Sequence, residues 1–119
     1  MNSSLPEVRV ETEAAVGRVI VSNPSRLNAM TFEMWRTLPV ALKRLDEDSG
    51  VRLIVIEGDG DRAFISGGDI SEFESQRTDA STQAAYDQAV SEAYLAPSRC
   101  SKPVVAKIRG FCMGGPRPG

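Results

Sequence analysis

Hydrophobic and polar positions along this chain alternate first with a period of two, then with a period of three to four, and the switch recurs. Val8, Val10 and Thr12 oppose Arg9, Glu11 and Glu13, which predicts a half-buried strand over Val8–Glu13. Val16–Ser22, with Val19, Ile20 and Val21, predicts its hairpin partner, with the turn around Ala15-Val16-Gly17. Asn23-Pro24-Ser25 ends that strand, because Pro24 has no N–H for a ladder. Phe32, Trp35, Leu38, Leu42 and Leu45 then recur every three or four residues, an apolar stripe on a helix from about Phe32 to Glu47. Thr31 is placed to cap it, and Glu33 puts negative charge in its first turn. Pro39 lies inside the pattern. A proline costs about 3 kcal/mol in a regular helix interior, so a kink or a restart is expected there. Ser49-Gly50 closes the element.

Val51–Glu57 is apolar on alternate positions of both faces, the pattern of a parallel strand covered on both sides. Beyond the loop Gly58–Asp61, Ala63–Ile65 predicts a short strand and Ile70–Gln76 a short helix. Thr78–Ala96 predicts a longer helix, carried by Ala85, Ala89, Val90, Ala93 and Tyr94 and stopped by Pro97. Lys102-Pro103 leads into a further buried strand, Val104–Ile108. A hairpin followed by βα units is an α/β architecture, with helices outside a largely parallel sheet.

Composition narrows the chemistry. The 119 residues suffice for one small domain, and 41% of them are apolar. The formal net charge is −2, with Lys and Arg scattered, so no basic face for nucleic acid or an anionic membrane is expected. No apolar run reaches about 18 residues, which predicts no membrane span. Met1–Glu7 lacks a signal-peptide pattern, and Cys100 and Cys112 read as reduced thiols; both point to the cytoplasm. There is no histidine, so neither a Ser-His-Asp nor a Cys-His site can be completed, and no metal is expected. Carboxylates and backbone donors are what remains.

Two glycine motifs follow predicted strands. Gly58-Asp59-Gly60-Asp61-Arg62-Ala63 formally matches a dinucleotide fingerprint, but it runs into Phe64-Ile65 rather than opening a helix. Asp59 and Asp61 would also set negative charge beside a diphosphate, so an ordinary polar turn is the better reading. Ser66-Gly67-Gly68-Asp69 permits a sharp turn with outward amides, and Asp69 can cap the next helix. Gly114-Gly115 follows another strand in the same manner. These are either two structural strand-to-helix turns or two backbone donors able to hold one carbonyl oxygen as charge develops on it.

Three segments in order resemble the enoyl-CoA hydratase/isomerase (crotonase) family. They are Asn28-Ala29-Met30, Arg62-Ala63-Phe64-Ile65-Ser66-Gly67-Gly68-Asp69-Ile70, and the run from Lys102-Pro103-Val104 to Met113-Gly114-Gly115. The resemblance covers nearly all of residues 1–119 as the N-terminal part of one longer domain. It implies a crotonase-like (ClpP/crotonase) ββα spiral core, incomplete here. It also implies an acyl-coenzyme A substrate and no separate cofactor, coenzyme A being part of the substrate. By motif, the oxyanion-hole amides fall on Gly68 and Gly115. Ala29, Ala63, Gly67 and Asp69 line the substrate, the acyl chain runs near Ile65 and Ile70, and Arg26 is either a coenzyme A contact or a solvated loop arginine. Full-length members of the family form trimers or pairs of trimers.

The resemblance breaks at residues 116–119. Pro116 and Pro118 stand where hydratases carry a third glycine and a glutamate, and the second family glutamate falls past residue 119. Asp69, Glu72 and Glu74 are poor replacements, because an exposed carboxylate of ordinary pKa is a weak base. A truncated or frame-shifted copy of a longer enzyme is therefore expected. The implied function is hydratase-like handling of an acyl-CoA thioester, inactive as these residues stand. Isomerase or 3-hydroxyacyl-CoA hydrolase chemistry is the alternative within the family, and a non-catalytic interaction remnant the alternative outside it.

Overall fold

The computed structural model describes residues 5–60, 64–65 and 80–108. Strands β1 (Glu7–Glu13) and β2 (Val16–Ser22) form the expected antiparallel hairpin. A 3-10 turn over Pro24–Arg26 leads to helix α1 (Phe32–Asp46). Strand β3 (Leu53–Gly58), helix α2 (Ala80–Arg99) and strand β4 (Val104–Lys107) follow. The sheet order is β1-β2-β3-β4, with β2, β3 and β4 mutually parallel.

Alternation along the strands sorts the sheet into two unlike faces. Val19 and Val21 of β2 and Ile54 and Ile56 of β3 form the core with Met34, Trp35, Leu38, Leu42 and Leu45 of α1. Helix α1 lies across this face, and α2 packs against α1 through Tyr86, Ala89, Ala93 and Ala96. On the other face stands a ladder of charges. Arg9 pairs with Glu7, Glu11 and Asp59, while Arg18 and Lys107 share Glu57. Such half-exposed pairs add little stability singly. Ile20 is nonetheless buried on this side, between its strand partners Arg9 and Glu57.

The expectation that β3 is covered on both sides therefore needs correcting. Ile54 and Ile56 are buried, whereas Leu53 and Val55 on the charged face are only half-buried. Strand β4 is not buried either: it is an outer strand of the described sheet, and Val105 and Ile108 are exposed. Phe64 and Ile65 pack against the core but lie in no strand, and Ala63 is outside the described residues.

The hairpin turn sits one or two residues earlier than its glycine suggests. Ala14 takes the left-handed conformation (φ 55°), and Val16 and Gly17 are already in the ladder, opposite Glu13 and Thr12. Gly17 is there for space. A Cβ at this position would lie 2.7 Å from Leu45 Cδ2, so its absence lets α1 settle onto the sheet.

Both prolines lie inside helices rather than ending them. Helix α1 runs without interruption through Pro39, and α2 continues past Pro97 to Arg99. In α1 the buried stripe outweighs the loss of one N–H. In α2 the proline falls in the final turn, where Cys100 N–H donates to the Pro97 carbonyl. Thr31 caps α1 as expected, its hydroxyl accepting from Met34 N–H at 3.2 Å. Tyr86 was absent from the expected stripe of α2, yet it is buried and accepts the Trp35 Nε1–H bond at 3.3 Å.

The end of α1 is latched to the connection between α2 and β4. The Asp46 carboxylate accepts from Ser101 N–H, Ser101 Oγ–H and Lys102 N–H at 2.9–3.1 Å. The Lys102 ammonium donates back to the carbonyls of Leu45 (2.9 Å) and Asp48, where the helix C-terminus favours positive charge. Among the described residues, no helix is long and apolar enough to cross a membrane.

Candidate functional site

The parallel register aligns Val21 with Gly58 and Glu57 with Lys107, so β2, β3 and β4 all end on one edge of the sheet. In open α/β sheets this carboxyl edge is where ligands bind. The loop holding Asn28-Ala29-Met30 leaves from the end of β2. The segment running through Phe64 and Ile65 leaves from the end of β3, and Ile108 continues from β4. The three chemistry-bearing stretches of the sequence thus set out from adjacent strand ends.

The loop after β2 is fixed by buried amides. Asn23 and Asn28 are 1% and 2% exposed. Asn28 takes φ 61°, a left-handed conformation that asparagine tolerates better than most residues. From there its Oδ1 accepts from Asn23 N–H at 2.8 Å, and its Nδ2 donates to the Asp59 carbonyl at 3.2 Å. Asn23 Nδ2 donates to the Ala29 carbonyl at 2.8 Å, and the Asn23 carbonyl accepts from both Arg26 and Asn28 N–H. These bonds close the loop on itself and hold Arg26, which is exposed, at its tip. Ala29 is buried beneath it, beside Met30, which is wholly buried and leads into α1.

The exit of β3 is tied to the same place. Asp59 N–H donates to the Val21 carbonyl at 2.8 Å. Its carboxylate accepts from Ser22 Oγ–H at 2.8 Å and from Arg9 at 3.3 Å. The Ser22 hydroxyl, and after it the Arg9 guanidinium, hold this carboxyl below the usual aspartate range. The charge on Asp59 is thereby engaged by its own sheet.

Of the residues predicted for the site, Arg26 and Ala29 share the β2 loop, and Ile65 is half-buried on the path from β3. Ala63, Gly67, Gly68, Asp69, Ile70 and Gly115 lie outside the described residues. Sequence reasoning missed Ser22, Asn23 and Asp59. Two asparagines five positions apart around a proline could have suggested the loop, since asparagine side chains fold back on nearby backbone. Nothing local marks Ser22 and Asp59 as partners.

A mixed sheet whose parallel strands end on one edge, with helices stacked on one face, is an α/β architecture of the crotonase-like type. Residues 16–116 match the family model described as enoyl-CoA hydratase/isomerase, and the chain belongs to that family. It is 34% identical over 112 residues to the mitochondrial 3-hydroxyisobutyryl-CoA hydrolase of Bos taurus, a match covering 92% of this chain and 28% of the relative. It is 31% identical to the peroxisomal Delta(3,5)-Delta(2,4)-dienoyl-CoA isomerase of Arabidopsis thaliana, covering 94% of this chain and 44% of that protein. Among solved structures, an enoyl-CoA hydratase/carnithine racemase from Magnetospirillum magneticum superposes with a TM-score of 0.83 at 34% identity, over 90% of this chain and 40% of the other. The chain thus spans less than half the length of each of these relatives.

Proposed function

We propose that the chain binds an acyl-coenzyme A thioester at the carboxyl edge of its sheet and polarises the thioester carbonyl with two backbone amides, those of Gly68 and Gly115. The observation that carries this reading is the shared exit of β2, β3 and β4, from which all three family-like segments depart. Arg26 on the locked loop is suited to the coenzyme A phosphates. Ala29, Ala63, Gly67 and Asp69 border the thioester, and the acyl chain runs along Ile65 and Ile70. Two donors on one oxygen stabilise an enolate-like anion, and removing one such donor typically costs about 3 kcal/mol of transition-state stabilisation.

Hydratase-like handling is the first assignment. Pro118 stands where the family resemblance puts a catalytic glutamate, so binding and polarisation are expected from these residues without turnover. Titration calorimetry with crotonyl-CoA, alongside a hydration assay, tests both parts. Saturable binding that Gly68→Pro weakens but does not abolish, with no hydration, is the expected result. Hydration above the Gly68→Pro control would overturn the second part.

Thioester hydrolysis is the second reading, favoured by the similarity to the Bos taurus hydrolase. Release of free thiol from 3-hydroxyisobutyryl-CoA distinguishes it. The reduced-cysteine composition supports a cytoplasmic setting, which fractionation of the source cells tests. Trimers or pairs of trimers are proposed for full-length relatives, to be read by mass photometry.

A further inference from the structure

We infer that Asp59 is a positioning residue, the hub that sets where the exit of β3 stands relative to the coenzyme A-facing loop after β2. The inference rests on the acyl-CoA reading above and adds to it a residue that neither the motifs nor the fold assign.

Four bonds from β1, β2 and the β2 loop converge on this one residue. Its N–H reaches the Val21 carbonyl on β2, and its own carbonyl accepts from Asn28 Nδ2 in the β2 loop. Its carboxylate takes the Ser22 hydroxyl of β2 and the Arg9 guanidinium of β1. Three of the four come from β2 and its loop, and the fourth comes from the strand beyond. The hub is charged on one side and buried on the other. Asn28 and Ser22 are each 2% exposed, whereas the Asp59 side chain is 41% exposed. The next residue, Gly60, takes φ +80°, and its would-be Cβ would meet no described atom within 4 Å. The path then runs to Phe64 and Ile65, which pack back onto the core. Asp59 is thus the last side-chain anchor described before the chain turns toward the proposed acyl contact at Ile65.

The two parts of the site are held by separable bonds. The Asn23–Asn28–Ala29 set locks the β2 loop without the Asp59 carboxylate, while at the β3 exit that carboxylate adds its bonds from Ser22 and Arg9 to the two that the Asp59 backbone makes. Loss of that carboxylate should therefore loosen the hold on the acyl thioester and leave the hold on the nucleotide end intact. A residue that served stability alone would weaken both ligands together.

The test measures affinities of the full chain for crotonyl-CoA and for free coenzyme A in wild type, Asp59→Asn and Arg9→Gln. We expect Asp59→Asn to weaken crotonyl-CoA about tenfold, or about 1.4 kcal/mol, with free coenzyme A changed less than about twofold. Arg9→Gln, at a half-exposed strand position, should give the same split at smaller size, and it carries the test if Asp59→Asn fails to fold. Equal weakening of both ligands, or no change in either, overturns the assignment and leaves the acyl-CoA reading standing. A wild-type chain that binds neither ligand overturns both.

Discussion

Replacing Asn28 by alanine isolates what the locked loop is worth. The substitution removes the acceptor of Asn23 N–H, a group in a residue only 1% exposed. A buried donor left unpaired costs about 1–3 kcal/mol. The bond to the Asp59 carbonyl is longer, at 3.2 Å, and Asp59 is half-exposed, so water takes over part of it. Alanine must also hold φ 61°, which costs an L-residue without a polar side chain about 1 kcal/mol more. The sum is about 3 kcal/mol. With a urea slope of about 1.5 kcal/mol per molar, the midpoint should fall by about 2 M. Glycine at position 28 loses the same side-chain bonds but takes φ > 0 freely, and its greater unfolded-state entropy offsets part of that gain. Asn28→Gly should therefore be less destabilised than Asn28→Ala by about 0.5–1 kcal/mol. Trp35, the only tryptophan and buried in α1, reports unfolding by fluorescence. A shift below about 0.5 M for Asn28→Ala, or identical midpoints for the two variants, would refute the argument that buried amides hold this loop.

Two other outcomes follow from the packing and the charges. Gly17→Ala should destabilise by about 1–2 kcal/mol through the 2.7 Å approach to Leu45, and in a double-mutant cycle with Leu45→Ala the cost should shrink by about 1 kcal/mol; urea unfolding that gives additive effects would contradict the contact. The Asp46 carboxyl is held below its ordinary 3.8 chiefly by Ser101 N–H, so its contribution to stability is full above that value and is lost as pH falls through the lower folded one. Circular dichroism of Asp46→Asn during acid titration should show a shallower loss of stability below about pH 4 than wild type, and an unchanged slope would count against the latch.

Much of the architecture was legible because it depends on local order. The alternation in Val8–Glu13, the unbroken apolar run through Ile54 and Ile56, and the Thr31 cap each act within a few residues, and each appears where the pattern puts it. The misreadings share one cause: a local rule met a tertiary contact. Glycine often punctuates a turn, but Gly17 is small for the sake of Leu45, 28 positions away. Pro39 and Pro97 break helices in isolation, but the buried stripes on both sides of Pro39 keep α1 continuous. Strand β4 has the composition of a buried strand, yet it lies at the edge of the described sheet.

The candidate site divides along the same line. Ala29 and Arg26 could be placed by motif, since Asn28-Ala29-Met30 is contiguous. In the sequence alone Asp59 is only a negative charge unwelcome beside phosphate. Its neutralising partners, Ser22 and Arg9, lie 37 and 50 positions away, and only strand pairing brings them to it.

The infrared spectrum of bound crotonyl-CoA, labelled with carbon-13 at the thioester carbonyl, reads the proposed polarisation at the bond itself. Two backbone amides on the oxygen weaken the C=O bond. The carbonyl stretch should shift to lower frequency when the ligand is bound, and return toward its solution value in ligand-bound Gly68→Pro. A bound ligand whose carbonyl absorbs where it does in water, in the wild-type chain, would contradict it.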